Sequence, residues 1–482
     1  MPNGMDEVFV MGVSARTGRP LPSITPEALS YLKEQQRAPD PKRLVLESRV
    51  ASDGSASRGV VRSIRDPNDL TEAGWGVVFA RDCDPSVRQA LQPLLELREK
   101  QAGVLFKVFE GSSAPAPGEP AVKWINRNGA TLDVVDPYNG IPYFVLLIGS
   151  PESIPFEFQY TLDIYWAVGR LFFPRSADYA RYAASVVAYE QVPVVKTSRQ
   201  VALFATAHDF DRPTQLFTAK VAQPLADLNG PYGALGAKQK FALRKFLGSD
   251  ATKGNFAKIL KGEIEGGIPA LIVSGTHGME FERGDTRQSE AQGALVCQEW
   301  PGYGSIEADH WFAARDVPES ASLAGIIHFF FACYSAGCPR EDNFARTKAG
   351  PRPIAERAMV ARLPQAMLAC SGGGVLACLG HVDRAWSYTF VSNRAKGQVQ
   401  GIRDVLEGIL FGDRIGHATD QFNIRWAALS TELRKALENA AGGSPVPNAV
   451  LESLWTAHDD ARNYIVLGDP AIRLRVNDMP PV

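Results

Sequence analysis

PALIVSGTHG (269–278) and AGIIHFFFACYSAG (324–337) are two continuous apolar runs of strand length in a chain of 482 residues, and each ends in small or polar residues. Uninterrupted apolar runs are typical of strands that are buried on both faces, as in a parallel sheet covered by helices. RQVALFATAHD (199–209) and GVLACLGHVD (374–383) repeat the pattern. The four runs therefore predict an α/β fold with a doubly wound, mostly parallel sheet.

A strand, helix, strand unit precedes these runs. GVVFA (76–80) and VLFKVFEG (104–111) are predicted strands. The helix between them has Asp84 as its N-cap, Pro85 as its first residue and Gly103 at its end. A crossover of this length is typical of parallel strands, so the unit extends the same kind of sheet.

The chain is long enough for two or three packed units. We predict an irregular N-terminal extension over residues 1–74, rich in Pro, Ser, Arg and Asp, with one helix near residues 26–36. A first α/β subdomain follows over residues 75–195, and a second, with C-terminal helices and a closing strand, covers residues 196–482. In the second subdomain, PIAERAMVARLPQAMLA (353–369) is predicted to be a helix.

Composition excludes disordered and collagen-like proteins. With 45% hydrophobic and 22% charged residues, the chain resembles ordinary soluble globular proteins. The formal net charge is −2, from 51 Lys plus Arg and 53 Asp plus Glu. The chain therefore has no overall positive electrostatic field that would attract nucleic acid or anionic lipid. Six cysteines are too few for a disulfide scaffold in a chain of this length and favour a reducing compartment.

We also expect no membrane partner. The N-terminus, MPNGMDEVFVMGVSARTG, lacks the basic region and the long apolar region of a secretory signal. The longest apolar runs, FVLLI (144–148) and IIHFFFAC (326–333), fall far short of the roughly 20 residues that span a bilayer. The sequence therefore predicts a cytoplasmic protein that binds neither nucleic acid nor membrane.

Two strand ends carry residues suited to nucleophilic catalysis. His277 follows the strand PALIVSG and precedes Gly278, and Cys333 follows the strand GIIHFFF. A cysteine thiolate is an intrinsically strong nucleophile, and a nearby imidazole can pass a proton to a leaving amine. A glycine lets its backbone N–H approach a developing oxyanion. The alternative is structural, because a single histidine or cysteine at a strand end is more often part of the packing.

These residues resemble the caspase-like cysteine peptidases, in which His-Gly and Ala-Cys pairs follow consecutive strands, and within that group the gingipain family. CHAT-domain peptidases belong to the same group. The segments PYFVLLIGSPESIPFEFQYTLDIYWAVGRLFF and ARNYIVLGDPAIRLRV are similar to gingipain segments, as is WGVVFARDCDPSVRQALQPLLELREKQAGVLFKVFEG. The resemblance covers residues 75–476 with gaps and implies a caspase-like fold with catalysis in the second subdomain.

Carried over residue by residue, the resemblance implies that Cys333 is the nucleophile and His277 the catalytic histidine. Gly278 and the Cys333 amide would form the oxyanion hole. Asp209 matches an acidic residue that orients the histidine, although it could equally be an exposed loop carboxylate. Trp386, in GHVDRAWSYTF (380–390), matches a tryptophan over the specificity pocket.

The resemblance also implies a preference for Arg or Lys before the scissile bond, set by an acidic residue in the pocket. Asp211 and Asp383 are the candidates, and the alternative for both is an ordinary solvated charge. Calcium binding occurs in the gingipain family, but no ligands are identified in this sequence, and no cofactor is expected otherwise. No metal ligand is assigned.

A long polar segment, residues 279–320, follows the histidine strand. Such a segment after the carboxyl end of a strand usually shapes a ligand site, so we expect a lid or an autoinhibitory loop, with surface decoration as the alternative. If the enzyme accepts basic residues, Arg283, Arg287 and Arg315 are candidate points of self-cleavage.

The sequence thus predicts an intracellular cysteine endopeptidase that hydrolyses a protein or peptide substrate through a Cys-His dyad. A regulatory protein partner could gate it. The alternative function is that of a caspase-fold scaffold protein, whose site is silent or used only in a complex. The absence of a GxxxxGK[ST] phosphate loop and of an HExxH helix leaves nucleotide hydrolysis and metallopeptidase chemistry without support.

Overall fold

A computed structural model describes residues 8–35, 64–132, 134–319, 321–390, 399–444 and 446–481. Residues 1–7 and 36–63 of the predicted N-terminal extension lie outside these ranges. The strands are β1 Gly12–Ser14, β2 Trp75–Phe79, β3 Phe106–Phe109, β4 Phe144–Ile148, β5 Ala167–Leu171, β6 Ser198–Ala205, β7 Ala242–Leu247, β8 Pro269–Gly275, β9 Gly278–Glu280, β10 Leu295–Val296, β11 Trp311–Phe312, β12 Ile327–Phe331, β13 Gly337–Cys338, β14 Glu341–Thr347, β15 Gly350–Pro353, β16 Met359–Val360, β17 Ala377–His381 and β18 Tyr464–Gly468.

Helices surround the strands. In chain order they are α1 Pro26–Gln35, α2 Leu70–Ala73, α3 Pro85–Ala102, α4 Ala121–Arg127, α5 Phe156–Asp163, α6 Ser176–Gln191, α7 Arg212–Phe217, α8 Gln223–Leu225, α9 Lys253–Lys261, α10 Gln288–Ala291, α11 Arg362–Leu368, α12 Val399–Phe411, α13 Ile415–Ala418, α14 Asp420–Ala441 and α15 Asn448–Arg462. Helix α1 confirms the helix predicted near residues 26–36.

One sheet organises the described part of the chain. Its ten strands lie in the order β3-β2-β4-β5-β18-β17-β12-β8-β6-β7. All neighbouring strands in it are parallel except β17 and β18, which are antiparallel. The predicted α/β class and the mostly parallel sheet are confirmed. The boundary predicted between residues 195 and 196 falls within this sheet, which is continuous because β18, near the C-terminus, joins β5 to β17. The boundary stays a prediction.

Local chemistry sets the ends of α3. The Asp84 side chain accepts a hydrogen bond from the Ser86 backbone N–H at 2.8 Å, and Pro85 is the first helical residue. Gly103 ends the helix with a φ of 57°, in the left-handed region that favours glycine. Leu91 and Leu94 are buried on the face that packs against the core. The predicted strand, helix, strand unit is thereby confirmed.

The structure corrects one helix and adds an edge strand to the central sheet. Residues 353–369 were predicted to be helical throughout, but only α11 is a helix, and β15 and β16 lie before it. Pro351 and Pro353 lack backbone donors and favour an extended chain, in which β15 pairs with β14. The added strand, β7, is the half-buried edge strand beside β6, and Arg244 and Lys245 interrupt its apolar residues.

The main hydrophobic core lies on both faces of this sheet. A second buried cluster joins the N-terminal segment to the predicted insertion, since Val13 and Ala15 pack there with Met279, Trp300 and Trp311. All six cysteines of the chain lie within the described ranges and are free thiols. Because Met279, Trp300 and Trp311 belong to this second cluster, the described part of the insertion, residues 279–319, is integrated into the packing around the carboxyl ends of β8 and β12.

Candidate active site

Strands β8 and β12 bring His277 and Cys333 to the same edge of the sheet. They are parallel neighbours, and Gly275 at the end of β8 pairs with Phe331 at the end of β12. His277 and Cys333 each follow their strand by two residues. Because parallel strands end at a common edge, two residues separated by 56 positions in the sequence, 333 − 277, meet in one region.

Cys333 is fully buried in this structure. Its Sγ accepts a hydrogen bond from the Ala385 backbone N–H at 3.2 Å. Burial raises the pKa of the Cys333 thiol, because the thiolate is poorly solvated there, and the Ala385 N–H opposes that effect. Tyr334, the next residue, has a φ of 58°, a conformation that bulky side chains rarely adopt and that concentrates at functional sites.

Asp211 holds the histidine. The Nε2 atom of His277 lies 2.8 Å from the Asp211 Oδ2 atom. Burial acts to raise the pKa of Asp211, but the charge and hydrogen bond of His277, together with Thr214, lower it to about 2. The other ring nitrogen of His277, Nδ1, is buried and has no hydrogen-bond partner among the described residues. That atom is therefore the one left to exchange a proton.

Asp209, the predicted orienting carboxylate, lies elsewhere. Its side chain is exposed, and its backbone carbonyl accepts a hydrogen bond from Gln215 Nε2 at 2.9 Å. Asp211 instead caps helix α7, where it accepts from the Thr214 N–H at 3.1 Å, and this cap turns the carboxylate inward to His277. The structure thus brings Asp211, which was predicted to lie in the substrate pocket, to the histidine.

An aromatic residue of the insertion packs against the histidine. The Trp300 ring meets the His277 ring edge to face, with 5.7 Å between centroids, and meets His208 at 5.1 Å. Burial lowers the pKa of His208 to about 4, so this neighbour is neutral near pH 7. Sequence reasoning missed Trp300, although the segment EWPGYGS around it has an unusual density of aromatic and turn residues.

Two backbone donors converge beside the thiol. The N–H groups of Gly278 and Cys333 both donate to the carbonyl oxygen of Met11, at 3.1 and 3.0 Å. Gly278 has no room for a side chain, since a Cβ there would lie 1.8 Å from the Cys333 carbonyl oxygen. The pair of donors has the geometry of an oxyanion hole, and it is filled by a carbonyl of the same chain.

The segment around Met11 runs through the site, with a bend at Met11 between the bridge at Val10 and strand β1. The Met11 N–H donates to the Ala385 carbonyl oxygen at 2.8 Å, and the Phe9 carbonyl accepts from the Ser387 N–H at 2.8 Å. Strand β1 then pairs in parallel with β9. Residues 1–74 are predicted to be an irregular extension, but residues 8–13, VFVMGV, form an apolar run long enough to indicate a strand.

The structure places the other predicted pocket residues around this segment. Trp386 is buried, packs against Phe344 with 5.3 Å between ring centroids, and faces Val10 through its backbone. Asp383 is also buried and accepts from Asn343 Nδ2 at 2.9 Å. Burial raises the pKa of Asp383, and the nearby charge of Asp342 adds to that effect. Both Asp383 and Asp211 are buried, so neither is an ordinary solvated charge.

Within the described ranges, no three His, Cys, Asp or Glu side chains are grouped so that they could hold a metal ion. The calcium implied by the gingipain resemblance is therefore assigned no ligands here.

No helix in the described part of the chain is both long and apolar enough to cross a bilayer.

No protein-family profile matches the sequence, and no curated protein matches it. The chain is similar to a solved structure described as "Structure of Protease", with a TM-score of 0.49 and 14% identity over 84% of this chain and 80% of that one. It is also similar to the Saccharomyces cerevisiae separase–securin complex, with a TM-score of 0.32 and 12% identity over 68% of this chain and 16% of that one. Both TM-scores are below 0.5, so neither likeness carries an argument about function.

Proposed function

We propose that this protein is a cysteine endopeptidase with Cys333 as nucleophile and His277 as the residue that moves the proton. One observation carries the proposal, namely that the N–H groups of Gly278 and Cys333 converge on one carbonyl oxygen next to the Cys333 thiol. Two backbone donors so placed would stabilise the oxyanion formed when that thiol adds to a peptide carbonyl. The gingipain-like order of these residues in the sequence supports the same reaction.

The reaction would proceed in two steps. The thiol proton of Cys333 passes to Nδ1 of His277, and Sγ attacks the peptide carbonyl carbon while its oxygen is held by the two N–H groups. His277 then gives the proton to the leaving amine as the C–N bond breaks, which leaves a thioester. Water hydrolyses the thioester, so that a carboxylate is released and the thiol is restored.

Asp211 would act as a positioning residue for His277. Its carboxylate accepts a hydrogen bond from Nε2 at 2.8 Å, which fixes the tautomer with the proton on Nε2 and leaves Nδ1 as the base. With a pKa of about 2, Asp211 stays ionised throughout the range in which cysteine peptidases operate, and its charge stabilises the imidazolium. This role was predicted for Asp209.

A second candidate function is the scaffold protein whose site is silent or opened only in a complex. The observation that favours it is the complete burial of Cys333 beneath the N-terminal segment. A partner that withdrew residues 8–14 would expose the thiol, and such gating is compatible with the peptidase proposal. A scaffold protein without catalytic activity is not compatible with the peptidase proposal.

A positional-scanning peptide library, read by mass spectrometry, tests the proposal. It would be incubated with the wild type, with Cys333→Ala and His277→Ala, and with Gly12→Ala, which crowds the covering segment. Cys338→Ala is the matched control, because Cys338 is also a buried free thiol five positions further on. We expect cleavage that Cys333→Ala and His277→Ala abolish and Cys338→Ala retains. Full cleavage by Cys333→Ala, or none by the wild type and Gly12→Ala alike, would overturn the proposal.

A further inference from the structure

Residues 9–12 lie in the candidate active site as a peptide substrate would lie. Met11 donates its N–H to the Ala385 carbonyl, and Phe9 both donates to Ser387 Oγ and accepts from the Ser387 N–H, each at 2.8 Å. Val10, between them, forms the antiparallel bridge with Trp386. Backbone pairing of alternate residues is how an extended peptide adds to a strand edge, with affinity supplied by main-chain hydrogen bonds.

The reacting position in this register is the Met11 carbonyl. Its oxygen accepts from the N–H groups of Gly278 and Cys333, which places the Met11 carbon where a scissile carbonyl would be. Gly12, which supplies the amine side of that peptide bond, lies against the thiol, since a Cβ on it would be 2.5 Å from the Cys333 Sγ. The bond between Met11 and Gly12 is therefore presented to the nucleophile.

The side chains of the segment indicate the class of peptide that fits. Met11 is fully buried and Val10 nearly so, and both belong to the main apolar cluster together with Leu21. A charged side chain at either position would lose its hydration there. At Gly12, an added Cβ would also lie 2.9 Å from Leu21 Cδ1, so the position after the bond accepts only a very small residue.

The two sides of the bond are anchored separately. After Gly12, strand β1 pairs with β9, the Leu21 N–H donates to the Gly12 carbonyl at 3.1 Å, and the Ala15 N–H donates to the Glu280 carbonyl at 2.9 Å. Thr25, immediately before helix α1, continues this anchoring further along the chain, since its N–H donates to the Phe344 carbonyl at 2.9 Å. Cleavage between Met11 and Gly12 would thus release residues 1–11 and leave the rest docked.

We propose that this chain cleaves its own peptide bond between Met11 and Gly12, and that its substrates are apolar segments with an uncharged residue before the bond and a very small residue after it. This inference rests on the proposed peptidase function. Sγ of Cys333 bonds to the Met11 carbonyl carbon, the bond to the Gly12 nitrogen breaks, and that nitrogen takes a proton from His277. Water then displaces the sulfur, giving a Met11 carboxylate and a new amino terminus at Gly12.

Self-cleavage would also uncover the two oxyanion donors, and an external substrate could bind once the freed Gly12 end had moved away from the thiol. The uncut segment fills the two oxyanion donors and covers the thiol, so an external substrate cannot enter while it is bound. Release of residues 1–11 removes the Met11 carbonyl from both donors. The gingipain resemblance implies a basic residue before the scissile bond. The residue that occupies this position is Met11, which is apolar and does not match that expectation.

Intact-mass measurements on the full-length chain over time, at several protein concentrations, test the proposal. We expect the wild type to lose residues 1–11 at a rate independent of concentration, because the bond and the nucleophile belong to one chain. Cys333→Ala should stay intact. Met11→Leu, which keeps the volume and the apolar character, should be cut within about tenfold of the wild-type rate, and Met11→Arg at least about 100-fold more slowly.

The outcomes separate this proposal from the function on which it rests. Faster cutting of Met11→Arg, or cutting after Arg283, Arg287 or Arg315 instead, would overturn the proposed substrate class. A wild type that stays intact while it, or Gly12→Ala, cleaves peptides added in solution would overturn self-cleavage and leave the peptidase intact. If no variant cleaves itself or any peptide, the peptidase function itself is wrong.

Discussion

Nε2 of His277 lies 2.8 Å from Oδ2 of Asp211, whereas the side chain of Asp209, two positions earlier, is exposed. The difference arises from the cap of helix α7. Asp211 turns inward because its carboxylate accepts from the Thr214 N–H, and its own N–H donates to the His208 carbonyl at 3.0 Å. This arrangement gives the two neighbouring carboxylates different expected effects on catalysis.

Asp211→Asn should lower kcat by about 10²–10⁴-fold, because an amide can present its N–H to Nε2 and force the proton onto Nδ1, the wrong tautomer. Asp209→Asn is the matched control and should leave kcat unchanged within about twofold. Steady-state kinetics on the best peptide of the library measures both. Equal losses in the two variants would contradict the role assigned to Asp211.

Acid should remove the contribution of Asp211 to stability. Its pKa is about 2 in the folded protein, against about 3.9 for an aspartate in an unfolded chain. A carboxyl whose pKa is lowered by folding stabilises the fold above the unfolded value, and that stabilisation is lost as the pH falls toward the folded value. The Tm difference between the wild type and Asp211→Asn should therefore be constant from pH 7 to about 5 and narrow below about pH 4.

The same measurement with Asp209→Asn supplies the control. Asp209 is exposed and shares no hydrogen bond with His277 in the described structure, so the Tm of Asp209→Asn should differ little from that of the wild type. Other carboxyls titrate in all three proteins and cancel in the differences. A gap for Asp211→Asn that widens in acid would contradict the sign of the pKa shift.

Gly12→Ala should make Cys333 more reactive. The added methyl group would lie 2.5 Å from Sγ and 2.9 Å from the Cys333 Cβ, so the segment must move away from the thiol. Water then reaches a thiol whose pKa is raised by burial, and the pKa falls toward its ordinary value. Alkylation by iodoacetamide at pH 8, located by peptide mass spectrometry, should be faster at Cys333 by about tenfold or more than in wild-type chains that still carry residues 1–11.

Gly254→Ala is the matched control for that experiment. Gly254 lies in helix α9, and a Cβ there meets no atom within 4 Å, so the substitution should leave the alkylation rate of Cys333 unchanged. Cys338, buried elsewhere, serves as an internal reference in every sample. An unchanged rate at Cys333 in Gly12→Ala would show that the segment does not control access to the thiol.

The sequence could predict the parts of the site that local patterns determine. The strands before His277 and Cys333 are uninterrupted apolar runs, and the parallel pairing of β8 and β12 follows from that pattern, so their meeting at one edge was predictable. Gly278 was predictable in the same way, since a backbone that approaches Cys333 so closely requires glycine.

Other parts depend on contacts that no local pattern contains. Which of Asp209 and Asp211 contacts His277 depends on which residue caps helix α7. The residue at which a helix begins is the feature that a sequence pattern predicts least accurately. The position of Met11 depends on hydrogen bonds to Gly278, Cys333 and Ala385, all more than 260 residues away in the chain. An apolar run at residues 8–13 can indicate a strand but not its partner.

Trp300 should support catalysis through His277 as well as the fold. Both Trp300 and Trp311 are buried in the same apolar cluster. The Trp300 ring packs against the imidazole of His277, with 5.7 Å between centroids, whereas the Trp311 ring packs against Phe281. Trp300→Ala and Trp311→Ala should each lower the free energy of unfolding by about 3–5 kcal/mol. Trp300→Ala should in addition lower kcat by about 10–100-fold, because the freed imidazole no longer holds its reactive orientation. Denaturant unfolding and steady-state kinetics, both run where each variant is still folded, separate the two effects, and equal kcat values for the two variants would show that Trp300 contributes only to packing.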